Sequence, residues 1–184
     1  ARLYIDVLKV NNNIQDCLSK EKEMLNIYFS EIRNIYGEKF YGEIINIIVI
    51  LATSFQKLTI SELIQMCNAN GNNNLMRFLA YINSINALVD IEKSQEGKKL
   101  SISHAYIKKY IIETHTEIIQ KEILRWIDEY QNTSFDYSDP KDKYIGLYLV
   151  KYVEQYLDND IKKHLDSRFV RKFLELANDI YKMH

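Results

Sequence analysis

Between Ile44 and Leu51 the chain reads IINIIVIL, and the whole stretch Phe40–Ser54 has helical character with apolar residues on nearly every side. A helix of that kind must be covered on every side. It therefore dictates a fold in which one central helix is wrapped by the rest of the chain. The run is interrupted by Asn46 and is too short to span a bilayer, which excludes a membrane helix here. One Pro and 5 Gly in 184 residues leave few breakers, so the covering elements should also be mostly helices.

Upstream, Leu3, Val7 and Leu8 share a helical face that stops at Asn11–Asn13. This reads as the last turns of a helix, and a chain starting with Ala inside that pattern reads as cut from a longer polypeptide. Ser19 is placed to cap the next helix, with Glu21 and Glu23 near its positive end. Its stripe is Met24, Leu25, Tyr28, Phe29, Ile32 and Ile35, and Gly37 ends it.

Downstream, Thr59-Ile60-Ser61-Glu62 is a capping box, flanked by Leu58 and Leu63 as a hydrophobic staple. This predicts a helix ending near Cys67, then a turn through Asn68–Asn74 containing Gly71. Leu75, Phe78, Leu79, Ile82, Ile85 and Leu88 mark the following helix. Val89 and Ile91 alternate with Asp90 and Glu92, and Leu100 and Ile102 with Ser101 and Ser103. With Gln95-Glu96-Gly97 between them, the two runs predict a two-stranded β-wing. Lys93, Lys98 and Lys99 decorate it as solvated or edge-protecting charges.

From His104 the periodicity predicts one long helix to about Gln131, carrying Ile107, Ile111, Ile118, Ile119, Ile123, Trp126, Ile127 and Tyr130. Asp139-Pro140 reads as cap and first helical position of the next. The segment YIGLYLVKYVEQYL (Tyr144–Leu157) is apolar on more than one side, Asp158-Asn159-Asp160 breaks it, and Ser167 opens a last helix. The expected architecture is mainly α: a winged helix over residues 37–104 with a two-stranded wing. The end of an upstream helical domain (1–36) precedes it, and a helical bundle or array (105–184) follows.

Charge narrows the function. The formal net charge is −1, and the winged segment, residues 58–112, carries 6 basic and 4 acidic groups. Bulk electrostatics therefore give no nucleic-acid binder, and no segment reads as a membrane anchor or signal peptide. Within the helix at the groove-reading position of a DNA-binding winged helix, Arg77 is the only cation, so domain packing is the simpler role. Cys17 and Cys67 form no metal-ligand pair or disulfide framework, which suits reduced thiols of a cytoplasmic protein. His115 falls mid-helix, His164 near a helix end and His184 at the terminus, with no metal-binding spacing among them. Ser101, Ser103 and His104 lack the nucleophile elbow and oxyanion loop of a hydrolase. Glu21/Glu23 and Asp158/Asp160 fall at expected helix ends, where capping explains them.

The order of elements, with LTISELIQM at Leu58–Met66, LSISHAYIKKYI at Leu100–Ile111 and YLVKYVEQYL at Tyr148–Leu157, resembles the C-terminal arm of NACHT-type signal-transducing (STAND) ATPases. In that family a nucleotide-binding core is followed by a small helical domain, a winged helix and a second helical domain, and usually by sensor repeats. No G-x-x-x-x-G-K-[ST] occurs in this sequence, so the arm alone is not expected to be an enzyme. The resemblance implies ADP or ATP as cofactor of the parent protein, and none in this segment. It implies as partners the upstream nucleotide-binding domain and downstream sensor repeats, with homo-oligomers on activation. It also singles out His104. In related switch ATPases a histidine at the end of the wing reaches the β-phosphate of ADP, here within Ser103-His104-Ala105 where the family version reads Met-His-Asp. A neutral imidazole at a helix start can donate such a hydrogen bond. The competing functions are a winged-helix transcription regulator with a helical dimerisation domain, and a protein-interaction module presenting Tyr- and Phe-bearing faces.

Overall fold

The computed structural model describes residues 14–67, 72–95, 97–131, 136 and 138–163, with the isolated positions 165, 171, 174 and 178. The expected helix at Arg2–Lys9, residues 68–71 of the expected turn Asn68–Asn74 and the helix start at Ser167 lie outside those residues, while Asn72–Asn74 of that turn are already helical. The described chain is mainly helical, with one small antiparallel sheet of three strands.

The first helix, α1, spans Ile14–Thr53 and is broken within by Gly37 at φ 75, ψ 165. That conformation is open essentially to glycine alone, so the break is written into the sequence. The helix begins upstream of Ser19, which is therefore an internal residue and not its cap. Its first half is amphipathic along a narrower stripe than periodicity suggests. Leu25, Phe29 and Ile32 are buried, whereas Met24 and Ile35 are exposed. Phe29 packs on Tyr110 and His115 on one side, while Tyr28 donates to the Ser84 carbonyl at 2.7 Å and Tyr36 meets Tyr81 edge-on at 6.1 Å, so only the line of side chains between these contacts is fully covered.

The second half of α1 is the central element. Ile44, Ile45, Ile47, Ile48, Val49, Ile50, Leu51 and Ala52 are all buried. Such burial stabilises by about 1.5–3 kcal/mol per large aliphatic side chain before conformational entropy is counted. Thr53 and Ser54 at its end are buried too. Their hydroxyls donate back to the helix, Thr53 Oγ1 to the Val49 carbonyl at 2.9 Å and Ser54 Oγ to that of Leu51 at 2.9 Å.

Strand β1, Leu58–Thr59, leads into α2, Ile60–Met66. The capping box is formed: Glu62 N donates to Thr59 Oγ1 at 3.2 Å and Thr59 N to Glu62 Oε2 at 2.6 Å. Leu58 and Leu63 are both fully buried, as a staple requires. Thr59→Ala is expected to cost about 1 kcal/mol, visible as a shift in the urea midpoint with an unchanged slope; no shift would mean water replaces the cap.

Helix α3 spans Asn72–Ser84, then β2 (Val89–Ser94) and β3 (Gly97–Ile102) form the hairpin. The sheet order is β1-β3-β2, with Leu58 opposite Leu100 and Val89 opposite Ile102. The sheet thus has three strands where the sequence suggested a two-stranded hairpin. Two residues are too few to show alternation, so β1 has no signature of its own. Leu100, in the middle strand opposite Leu58 and Ile91, is fully buried, while Ile91 on the outer strand β2 is half exposed. Gly97, at φ 114, opens β3.

The helix expected from His104 to Gln131 is two helices, α4 (Ala105–Thr114) and α5 (Thr116–Gln131), divided at His115. Their apolar faces are continuous in sequence, so periodicity alone hides the break. Helix α6, Pro140–Tyr156, starts at the expected cap, where Asp139 accepts from Lys141 N and Asp142 N. A short α7, Asn159–Lys163, follows. One core joins them: α1 touches α2, α4, α5 and β3, and α6 packs on α5 and α2.

Candidate functional site

His104 sits between the end of β3 and the start of α4. The backbone of Ser103 donates to the Leu88 carbonyl at 2.9 Å, pinning the exit of β3 beside the entry of β2. His104 then takes an extended conformation, φ −135 and ψ 140, as the residue before α4, and its carbonyl accepts from Lys108 N at 3.0 Å. Its side chain is exposed and makes no cap to the helix. The ring is therefore presented outward from a fixed backbone position. Leu100, two strand positions before Ile102, points into the core, and Ser103 Oγ is buried without a hydrogen-bond partner among the described residues.

His115 is not a helix-interior residue but the joint between α4 and α5. Its ring meets Phe29 edge-on at 6.1 Å between centroids, and burial holds its pKa below the ordinary value. With Asn26, Arg33, Tyr41 and Tyr110 it lines a cleft of about 290 Å³ between α1 and α4. His164 and His184 lie outside the described residues, as does the side chain of Cys17. The Cys67 thiol is partly buried, and burial together with Glu122 pushes its pKa up, so it is a poor nucleophile. Among the described residues no group of three or more His, Cys, Asp or Glu could hold a metal ion, and no helix is long and apolar enough to cross a membrane.

Two features escape sequence reasoning because they join distant segments. The first ties the C-terminal helices to α2. Arg125 Nη2 donates to the Met66 carbonyl at 3.0 Å, at the negative end of α2, while the same side chain binds Glu122 at 2.7 Å and Glu129 at 3.3 Å. Glu129 also holds the buried Lys141 ammonium at 2.5 Å. Tyr130 donates to Asp142, which raises its phenol pKa beyond what burial alone does. Helix–turn contacts of this kind need two elements already placed, so no single stretch signals them.

The second is a cleft of about 610 Å³ between the β1–α2 turn, β3 and the start of α6. Lys57, Lys99 and Lys143 line it, with Thr59, Ser61, Glu62, Tyr144 and Leu147 among its other walls. Of these lysines only Lys99 stood out in the sequence, as a turn charge. Arg77, the single cation of α3, lies over the Phe40 ring at 5.7 Å. Leu75 and Met76 on the same helix are exposed, against the expected burial of Leu75.

No protein-family model matches the chain, and comparison with curated proteins and with solved structures finds no similar one.

Proposed function

We propose that this chain is the regulatory arm of a NACHT-type signal-transducing ATPase, working in the cytoplasm. Its winged helix would pack on a nucleotide-binding domain and relay the ADP/ATP state to a sensor region. The arm has no catalytic role in this reading; it changes partners when the nucleotide changes, and so biases a closed–open equilibrium.

The observation that carries the reading is His104, exposed on extended backbone at the junction of β3 and α4. A domain seated against that junction would receive the imidazole at a position the backbone fixes. The topology supports it. A helix, a short strand, two helices and a hairpin, with the short strand paired on the last, is the order of a winged helix. The engagement of Arg77 with Phe40 further favours packing over groove reading by α3.

The test is His104→Ala in the full-length protein. Losing one hydrogen bond to a charged phosphate should speed ADP release by roughly tenfold to a hundredfold and raise basal signalling. An unchanged ADP off-rate sinks the assignment of His104. A full-length protein without a phosphate-binding loop sinks the whole reading.

A further inference from the structure

We propose that the cleft between the wing and α6 binds a small anion bearing several phosphate groups. This goes beyond the switch-arm reading and stands without it, since His104 does not line the cleft.

Three lysines line this cleft from three separate elements. Lys57 comes from the segment before β1, Lys99 from β3 and Lys143 from the second turn of α6. In a chain of net charge −1 this convergence is not the average surface. The one carboxylate in the lining, Glu62, is turned to the backbone of Thr59 by the capping box. Glu92 stands beside the cleft, not in its lining, and binds Lys57 at 2.5 Å; that lysine holds its carboxyl below the usual range. The pair is well exposed, so water competes for both partners.

Phosphate groups suit this lining because each carries more negative charge than a carboxylate does. No arginine lines the cleft, so its positive charge is presented by lysines alone. Ammonium groups act as point charges, which suits the roughly spherical charge of phosphate. Several phosphates are needed because the lysines come from different walls. The volume, about 610 Å³, lies within the range that holds small ligands. Leu147, Pro140 and the Tyr144 ring give an apolar wall on which a base or sugar could rest, but the recognition is carried by the phosphates.

The experiment titrates the intact chain with tripolyphosphate, with ATP and with inorganic phosphate, by calorimetry and by thermal shift at low salt. The expected result is saturable binding of tripolyphosphate near about 100 μM, with inorganic phosphate at least about tenfold weaker. Lys143→Glu and Lys99→Glu should each weaken it by about tenfold or more, and Glu92→Gln should tighten it by a few-fold. Lys109→Glu, the same charge change at an exposed residue outside the cleft, should leave it unchanged. ATP binding equal to tripolyphosphate assigns recognition to the phosphates alone; tighter ATP adds the apolar wall. No saturation up to about 10 mM, or equal weakening by Lys109→Glu, overturns the proposal, the second by showing a diffuse charge effect. Circular dichroism of each variant separates loss of binding from loss of fold.

Discussion

Tyr152→Ala is expected to destabilise the fold by about 3–5 kcal/mol, the largest effect of any single side-chain truncation considered for this chain. The ring is about 1 % exposed and meets Phe55 edge-on at 4.9 Å and Trp126 edge-on at 5.1 Å. Deleting it leaves a void between α6, Trp126 of α5 and Phe55 just after α1, elements that pack elsewhere as well, so the walls close on it only in part. The hydroxyl adds little by comparison. Tyr152 and Tyr144 share a hydrogen bond at 2.9 Å, and Tyr144 accepts from Phe55 N at 3.1 Å. Tyr152→Phe keeps the ring and leaves Tyr144 its backbone partner, so it should cost only about 1 kcal/mol. Burial pushes the Tyr144 phenol up to about 12 and Tyr152 upward as well, so both stay protonated through the neutral range. Trp126 is the single tryptophan, and its fluorescence in a urea titration reads both variants directly. A loss below about 1 kcal/mol for the alanine variant would mean that α6 does not pack through this ring.

Glu129→Met is expected to cost about 2–3 kcal/mol, and more than Lys141→Met. Lys141 is 7 % exposed, and removing Glu129 takes away the carboxylate at 2.5 Å from its ammonium and leaves the Tyr130 ring, at 5.8 Å. Removing Lys141 instead leaves Glu129 still paired with Arg125 at 3.3 Å and partly solvated. The double variant Glu129→Met/Lys141→Met should return to within about 1 kcal/mol of the parent, since two apolar chains of similar length fill the space without a stranded charge. Urea denaturation of the three proteins closes the cycle. Equal costs for the two single variants would show that the ammonium reaches water.

The two predictions differ in how visible their origin is along the chain. The tyrosines of α6 lie in a segment that reads as apolar on several sides, and a sandwiched helix follows from that alone. The Thr59–Glu62 box, the Asp139-Pro140 start and the Gly37 break are equally local, because a cap or a forced backbone angle involves residues within one turn. Lys141 facing Glu129 is not local, and neither is Lys143 joining Lys57 and Lys99. Both depend on where α6 docks. The break at His115 stayed hidden for another reason: Ile111 and Ile118 keep helical spacing across it, and the joint is set by Phe29 from α1. Strand β1 was invisible because it consists of two residues defined by pairing with Leu100 and Lys99. His104 was legible as a position, just after the second strand of the hairpin, while its exposure required the structure.

The order β1-β3-β2 has a consequence for how the chain acquires its shape. The middle strand is the last of the three to be synthesised, and neither outer strand has a partner until residues 97–102 have emerged. A nascent chain halted before Gly97 thus carries two unpaired strand segments and a central helix lacking part of its cover. Closing β1 onto β3 spans the loop that contains α2, α3 and β2, and loop closure of that length is paid before the pairing rewards it. Assembly of this region therefore waits for translation to pass the hairpin, and a stall upstream of it leaves the isoleucine-rich helix open to whatever chaperone is at the ribosome exit.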